Sequence, residues 1–255
     1  MTWDAAQYLK FADHRLRPAL DLMGRIGADA PKTIVDLGCG AGNVTALLAK
    51  RWPAATVTGL DSSATMLERA RADHPSLRFE VANAADWTAQ PTVDLLYSNA
   101  SLHWLDDHAS LFPHLFRQVA PGGWFAVQMP RNFLEPSHQS VAEAGRDGPW
   151  RTTIEPMIAP PPVAEPGVYV DLLAPEAIEL DAWETQYIQM LEGENPVAEW
   201  TKGTWLKPFL DALQGAERAG FEAMYRQRVA AAYPPRADGR TLFPFRRLFL
   251  VARRG

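Results

Sequence analysis

Short apolar runs alternating with stretches of helical apolar spacing organise the first half of the chain. Thr33 to Leu37, Thr56 to Asp61, Leu77 to Ala82, Val93 to Ser98 and Trp124 to Met129 read as strands, the last preceded by a Pro121-Gly122-Gly123 turn. The stretch after Leu37 as far as about Arg51, Ala64 to Asp73 and about His108 to Val119 read as helices. Upstream, Trp3 to Ile26 carries an apolar face of Tyr8, Phe11, Leu16, Leu20 and Met23, with Pro18 placed to start the second of two helices. Strands that are apolar on both faces and alternate with helices require a parallel sheet covered on both sides, an α/β Rossmann-like fold.

The alternation breaks after Met129. Arg131 to Ala174 is weakly periodic and holds Pro156, Pro160, Pro161, Pro162 and Pro166. A segment that long predicts a lid or binding loop rather than a connection. Ala182 to Met190 then reads as a strand, Asn195-Pro196 as a helix start, the following residues as helices to about Ala232, and Leu242 to Ala252 as a closing strand.

At 255 residues and 47% apolar content, the chain can bury one domain with a small cap. The expected organisation is a single domain over 1–255: N-terminal helices over 1–30, a cofactor-binding half over 31–130, an insertion or lid over 131–174, and a C-terminal half with substrate cap over 175–255. A net charge of −5, with basic residues clustered only in short pairs such as Arg246-Arg247, argues against a nucleic-acid partner. No apolar run reaches the roughly 18 residues of a membrane span, and Met1-Thr2-Trp3-Asp4 lacks a signal-peptide pattern, so a cytoplasmic location without membrane association is expected. The single cysteine, Cys39, excludes an internal disulfide and reads as a space-filler. The six histidines show no metal-ligand spacing, so no metal is expected, and no protein partner is evident.

The candidate chemistry lies at Ile34-Val-Asp-Leu-Gly-Cys-Gly-Ala-Gly-Asn43. Gly38, Gly40 and Gly42 let the backbone turn tightly and a ligand approach the main chain. A dinucleotide site wants a small residue where this chain has Asn43, and Asp36 would repel a pyrophosphate. S-adenosylmethionine suits an acid there, having an ammonium, a sulfonium, a ribose diol and no phosphate. Asp61, ending the second strand, can accept both ribose hydroxyls, or alternatively cap the helix at Ser62 and Ser63. Asn83-Ala84 can read the adenine edge.

Asp36-Leu-Gly-Cys-Gly-Ala-Gly-Asn43, Asp61-Ser-Ser63 with Met66, Leu96-Tyr-Ser-Asn-Ala-Ser-Leu-His-Trp-Leu105 and Pro121-Gly-Gly123 together resemble the class I S-adenosylmethionine-dependent methyltransferases. More narrowly, Trp3 through Arg17-Pro18, Leu111-Phe-Pro-His-Leu115, Val127-Gln-Met-Pro130, Phe133-Leu-Glu-Pro-Ser-His138 and Arg247-Leu-Phe-Leu-Val-Ala-Arg-Arg254 resemble the branch that methylates trans-aconitate. The resemblance implies a mostly parallel seven-stranded sheet, S-adenosylmethionine as cofactor with S-adenosylhomocysteine as product, and a small-molecule tricarboxylate as substrate. It adds Ser62, Met66 and Asn99 to the cofactor residues.

A carboxylate acceptor is already ionised at neutral pH, so no general base is expected. Three carboxylates call for cationic and hydrogen-bonding partners. Arg247, set among apolar residues of the last strand, is the first candidate, with Lys207, His103, Trp104 and Tyr169 beside it. Tyr8 and either Arg15 or Arg17, which interrupt the N-terminal apolar face, are candidates for the cofactor, Arg17 for its carboxylate. Methylation of another small acid or of a hydroxyl, the latter with His103 as base, and cofactor binding without catalysis are the alternative functions.

Overall fold

In the computed structural model, which describes residues 12–255, the sheet has seven strands in the order β3-β2-β1-β4-β5-β7-β6. They are β1 (Thr33–Leu37), β2 (Thr56–Asp61), β3 (Arg78–Val81), β4 (Val93–Asn99), β5 (Val119–Pro130), β6 (Ala177–Leu191) and β7 (Thr241–Arg254). The first five pair in parallel and β7 runs antiparallel to β5, so the mostly parallel, Rossmann-like expectation holds. The helices are α1 (Ala12–Arg25), α2 (Asn43–Arg51), α3 (Ala64–Asp73), α4 (His108–Phe116), α5 (Pro136–Arg146), α6 (Arg151–Ile154), α7 (Pro166–Leu173), α8 (Pro196–Lys202), α9 (Lys207–Asp211) and α10 (Gly215–Ala232).

The chain divides into two compact units, one comprising residues 16–130, 162–185 and 247–255, the other 131–161 and 186–246 among the described residues. In the first, β1 and β4 are buried almost end to end because apolar side chains leave both faces. The strand order reverses between β1 and β4. Open α/β sheets gather ligands at the carboxyl ends of such neighbouring strands. The Tyr97 hydroxyl donates to Ala19 O at 2.8 Å, and Arg51 donates to Met23 O and Ile26 O, which fasten the chain of α1 to the sheet.

The second unit is helical. Trp150, Trp200, Phe221, Tyr225, Phe243 and Phe245 form much of its core. Helix packing there is close enough that a Cβ on Gly145 would lie 2.5 Å from Ile154, and one on Gly220 2.7 Å from Trp150.

Three expectations change. Pro18 lies inside α1 instead of starting a helix. Pro121-Gly122-Gly123 is a bulge within β5: Val93 pairs with Val119, yet Leu95 pairs with Trp124. Gly122 takes a φ of +80° there, and a Cβ on Gly123 would meet Asp94 O at 2.8 Å, so the bulge depends on both glycines. The proline-rich segment over 131–174 is no single insertion. Pro136, Pro156 and Pro166 each open a helical turn, where the missing N–H costs nothing; residues 131–161 belong to the helical unit and 162–173 to the sheet unit.

Candidate active site

The glycine loop is held from beneath by β2. Gly38 N–H and Cys39 N–H both donate to Leu60 O, at 2.7 and 2.9 Å, and Gly42 N–H returns to Cys39 O at 3.0 Å. Gly38 sits at φ +77°, and a Cβ there would fall 1.9 Å from Ser101 Oγ, so the segment after β4 closes on the loop only because residue 38 has no side chain. At Gly40 an added Cβ would meet only the Met66 methyl, at 3.4 Å, which leaves a cradle open to a ligand. Gly42 precedes α2 without a side-chain cap, so the first N–H groups of that helix stay available to the loop.

Two acids bracket this loop. Asp36 is 2% exposed, and its Oδ2 accepts a 2.6 Å hydrogen bond from Thr45 Oγ1. Burial pushes its carboxyl up to about 7; the Thr45 bond opposes the rise and the nearby Asp61 charge adds to it. Asp61 receives Gly40 N–H on Oδ2 at 2.9 Å and Ser63 N–H on Oδ1 at 2.8 Å. Asp61 thus braces the loop at one oxygen and the entry to α3 at the other, while Ser63 is the residue that caps α3 through Met66 N–H. Each carboxylate oxygen retains a lone pair for a ligand hydroxyl.

Asn99, ending β4, has a buried Oδ1 with no partner among the described residues. An orphan acceptor, a buried acid with a raised pKa and an open glycine cradle along one sheet edge fit a ligand with a cationic, hydrogen-bond-donating head. Ser62 is exposed beside the cap. Asn83 is exposed as well, and its Oδ1 already takes Ala85 N–H at 3.2 Å in an Asx turn, leaving one lone pair for an adenine edge, with half-buried Ala84 next to it. Cys39 is a filler as expected: burial and the flanking acids drive its thiol pKa well up, away from the thiolate.

The turn Leu102–Trp104 after β4 buries His103 and leaves Trp104 46% exposed, with their rings 4.7 Å apart. Arg247 is 4% exposed on β7 and donates from Nη1 to Gln128 Oε1 on β5 at 3.2 Å; Gln128 is fully buried, and its Nε2 has no partner among the described residues. A cation buried this deeply needs anionic or strongly polar company.

Three candidates have contacts of their own in this structure. Tyr169 is fully buried in α7, its hydroxyl 2.6 Å from His108 Nδ1 and accepting Ala164 N–H at 3.1 Å, with Phe112 beside it. It holds α7 to α4 as a core residue and forms no part of a lid. Arg17 is largely exposed and meets Asp21 Oδ2 at 3.9 Å, an ordinary i,i+4 pairing on the helix surface. Lys207 likewise pairs with Asp211 one turn on, at 2.8 Å. Tyr8 lies outside the described residues, as does the side chain of Arg15.

The sequence assigns no site role to Thr45, Ser101 or Gln128. Thr45 at the start of α2 was detectable, because a hydroxyl one turn into the helix after an acid-glycine loop can turn back to the acid. Ser101 and Gln128 carry no local signal. Among the described residues no group of His, Cys, Asp and Glu could hold a metal, and no helix is long and apolar enough to cross a membrane.

A family profile described as a methyltransferase domain matches residues 34–123, the span of β1 through the β5 bulge. The chain is 49% identical over 251 residues, 98% of each chain, to trans-aconitate 2-methyltransferase from Azoarcus sp. (strain BH72), and 48% identical over 255 residues, 99% of this chain and 98% of the other, to the enzyme of that name from Methylobacterium radiotolerans. Its fold is similar to that of Haemonchus contortus phosphoethanolamine N-methyltransferase 2, solved with S-adenosyl-L-methionine (TM-score 0.56, 16% identity, 94% of this chain and 53% of that one). Identity near one half along almost the entire length shows that the chain belongs to the trans-aconitate 2-methyltransferase family of S-adenosylmethionine-dependent, class I methyltransferases.

Proposed function

We propose that the chain transfers the methyl group of S-adenosylmethionine to one carboxylate of trans-aconitate, giving a monomethyl ester and S-adenosylhomocysteine. The observation that carries the acceptor is identity near one half that extends through the helical unit as well as the cofactor loop, to relatives named for that acid.

The cofactor supplies a methyl group on a sulfonium; the carboxylate oxygen forms the new C–O bond as the C–S bond breaks, and no proton moves. The protein's share is therefore binding, alignment and exclusion of water. Asp36 and Asn99 Oδ1 receive the cofactor's ammonium, Asp61 its ribose hydroxyls, and Gly40 with Met66 the space between. Asn83 and Ala84 lie at the adenine end. Arg247, held by Gln128, offsets the charge of a substrate carboxylate, and Trp104 lies at the carboxyl end of β4 where the acceptor enters.

Incubation with S-adenosylmethionine and a panel of di- and tricarboxylates tests this reading. A monomethyl ester formed preferentially from trans-aconitate is expected. No ester from that acid overturns the assignment, and a methyl ether from a hydroxy acid, abolished in His103→Ala with binding intact, would replace it with the base-dependent alternative.

A further inference from the structure

Gln128 lies fully buried near the end of β5, at a junction of three strands inside the sheet unit. It is in register with Asn99 on β4 and with Phe249 on β7, two residues from Arg247. Paired positions on neighbouring strands share a face of the sheet, as do alternate positions along one strand, so Asn99, Gln128 and Arg247 lie on one face across three adjacent strands. The main-chain oxygen of Gln128 accepts Ala100 N–H at 2.9 Å, which ties the turn after Asn99 to β5. Its side chain reaches toward β7, where Oε1 accepts Arg247 Nη1–H at 3.2 Å, and both side chains are buried.

Two features of this contact are not those of packing. Gln128 Nε2 is a buried donor with no partner among the described residues, whereas a methionine of similar length would fill the volume and leave no such donor. The acceptor is also neutral. A glutamate of the same shape would hold a guanidinium more tightly but would cancel its charge. An amide oxygen fixes the direction of the planar guanidinium and leaves its charge for another anion.

We propose that Gln128 is a positioning residue for methyl transfer: its amide oxygen aims the Arg247 guanidinium at the acceptor without placing a negative charge beside it, one strand away from the cofactor residue Asn99. The inference rests on the proposed acid acceptor and on Arg247 as its partner. It deepens that reading by making a neutral holder responsible for part of the affinity for an anionic acceptor. Gln128 acts through Arg247 and is asked to make no contact with the substrate.

A cycle of Gln128→Met, Arg247→Met and the double variant tests this role, with KM, kcat and melting temperature measured for each. Gln128→Met should raise the KM for trans-aconitate about fivefold and Arg247→Met about tenfold or more, with the KM for S-adenosylmethionine within about twofold of wild type in both. Because Gln128 acts through Arg247, the double variant should stay within about twofold of Arg247→Met alone. Gln128→Glu, isosteric but anionic, should raise the KM further than Gln128→Met does while melting no lower, a separation that a merely structural role would not produce. An unchanged KM in Gln128→Met, or losses that multiply in the double variant, overturns the proposal, and ester formation from trans-aconitate then leaves the function standing. If Gln128→Glu does not fold, the methionine cycle decides alone. The same pattern with another acid of the panel, and no ester from trans-aconitate, overturns that acceptor and keeps the role of Gln128; no ester from any acid overturns both.

Discussion

Thr45 donates a 2.6 Å hydrogen bond to Asp36, and that bond opposes the cost of burying a carboxylate beneath the glycine loop. The bond offsets the burial only in part, because the carboxyl pKa still stands near 7 against an ordinary 3.8.

A raised folded-state pKa means that the folded protein binds the proton more tightly than the unfolded chain. Asp36 therefore contributes stability below pH 4 that is lost as pH rises toward 7, at most about 4 kcal/mol by linkage. Asp36→Asn keeps an acceptor for Thr45 and should melt higher than wild type at pH 8, with the difference vanishing near pH 4. Affinity for S-adenosylmethionine should move the other way. An ammonium pairs with the ionised acid, so the wild-type Kd should tighten as pH rises from 5 to 7 and level above it, whereas Asp36→Asn should bind about tenfold more weakly at pH 8 and show a flat profile. Calorimetric titration across that range checks it; a parallel profile in the variant would remove Asp36 from the ammonium.

Gly38→Ala should lose cofactor binding and about 2–4 kcal/mol of stability, combining the strain of φ +77° with the 1.9 Å approach to Ser101 Oγ. Adding Ser101→Gly should recover part of the stability by removing the collision, without relieving the backbone strain. Denaturant melts of the two single variants and the double variant measure that coupling. Additive losses would mean that Ser101 is not what the side chain meets.

Arg247→Met should raise the KM for trans-aconitate at least tenfold while the Kd for S-adenosylmethionine changes by less than about twofold. Methionine fills the buried volume that the guanidinium stem occupies, so loss of fold is less of a confounder than with alanine. Steady-state kinetics with each substrate varied in turn provides the comparison. Equal losses for both substrates would assign Arg247 to the sheet rather than to the acceptor.

Tyr169→Phe should cost about 1–2 kcal/mol, because it strips His108 Nδ1 and Ala164 N–H of a common partner inside a packed core. Its kcat/KM for trans-aconitate should match wild type. A specific rise in KM without loss of melting temperature would return Tyr169 to the substrate site.

The parallel strands were legible because each is apolar on both faces, a pattern read within a few residues, and the loop was legible because turn chemistry is local: glycines at 38, 40 and 42, and an acid closing each of two strands. The proline-rich stretch misled for the same reason. Proline marks a loop and a helix start with one local signal, and only packing shows that Pro136 and Pro166 do the latter. The packing of Tyr169 against His108 and the surface pairing of Arg17 with Asp21 were not legible, because side-chain direction on a helix depends on what the helix packs against.

By itself the sequence determined the sheet, the glycine loop and the acids that flank it, since all of these follow from residues adjacent along the chain. The tertiary structure alone decided that Asp36 is buried deeply enough to titrate near 7, that Gln128 stands beside Arg247, and that the rings of His138 and Trp205 pack against each other. Those properties arise from desolvation and from contacts between distant segments, and neither exists until the chain has folded.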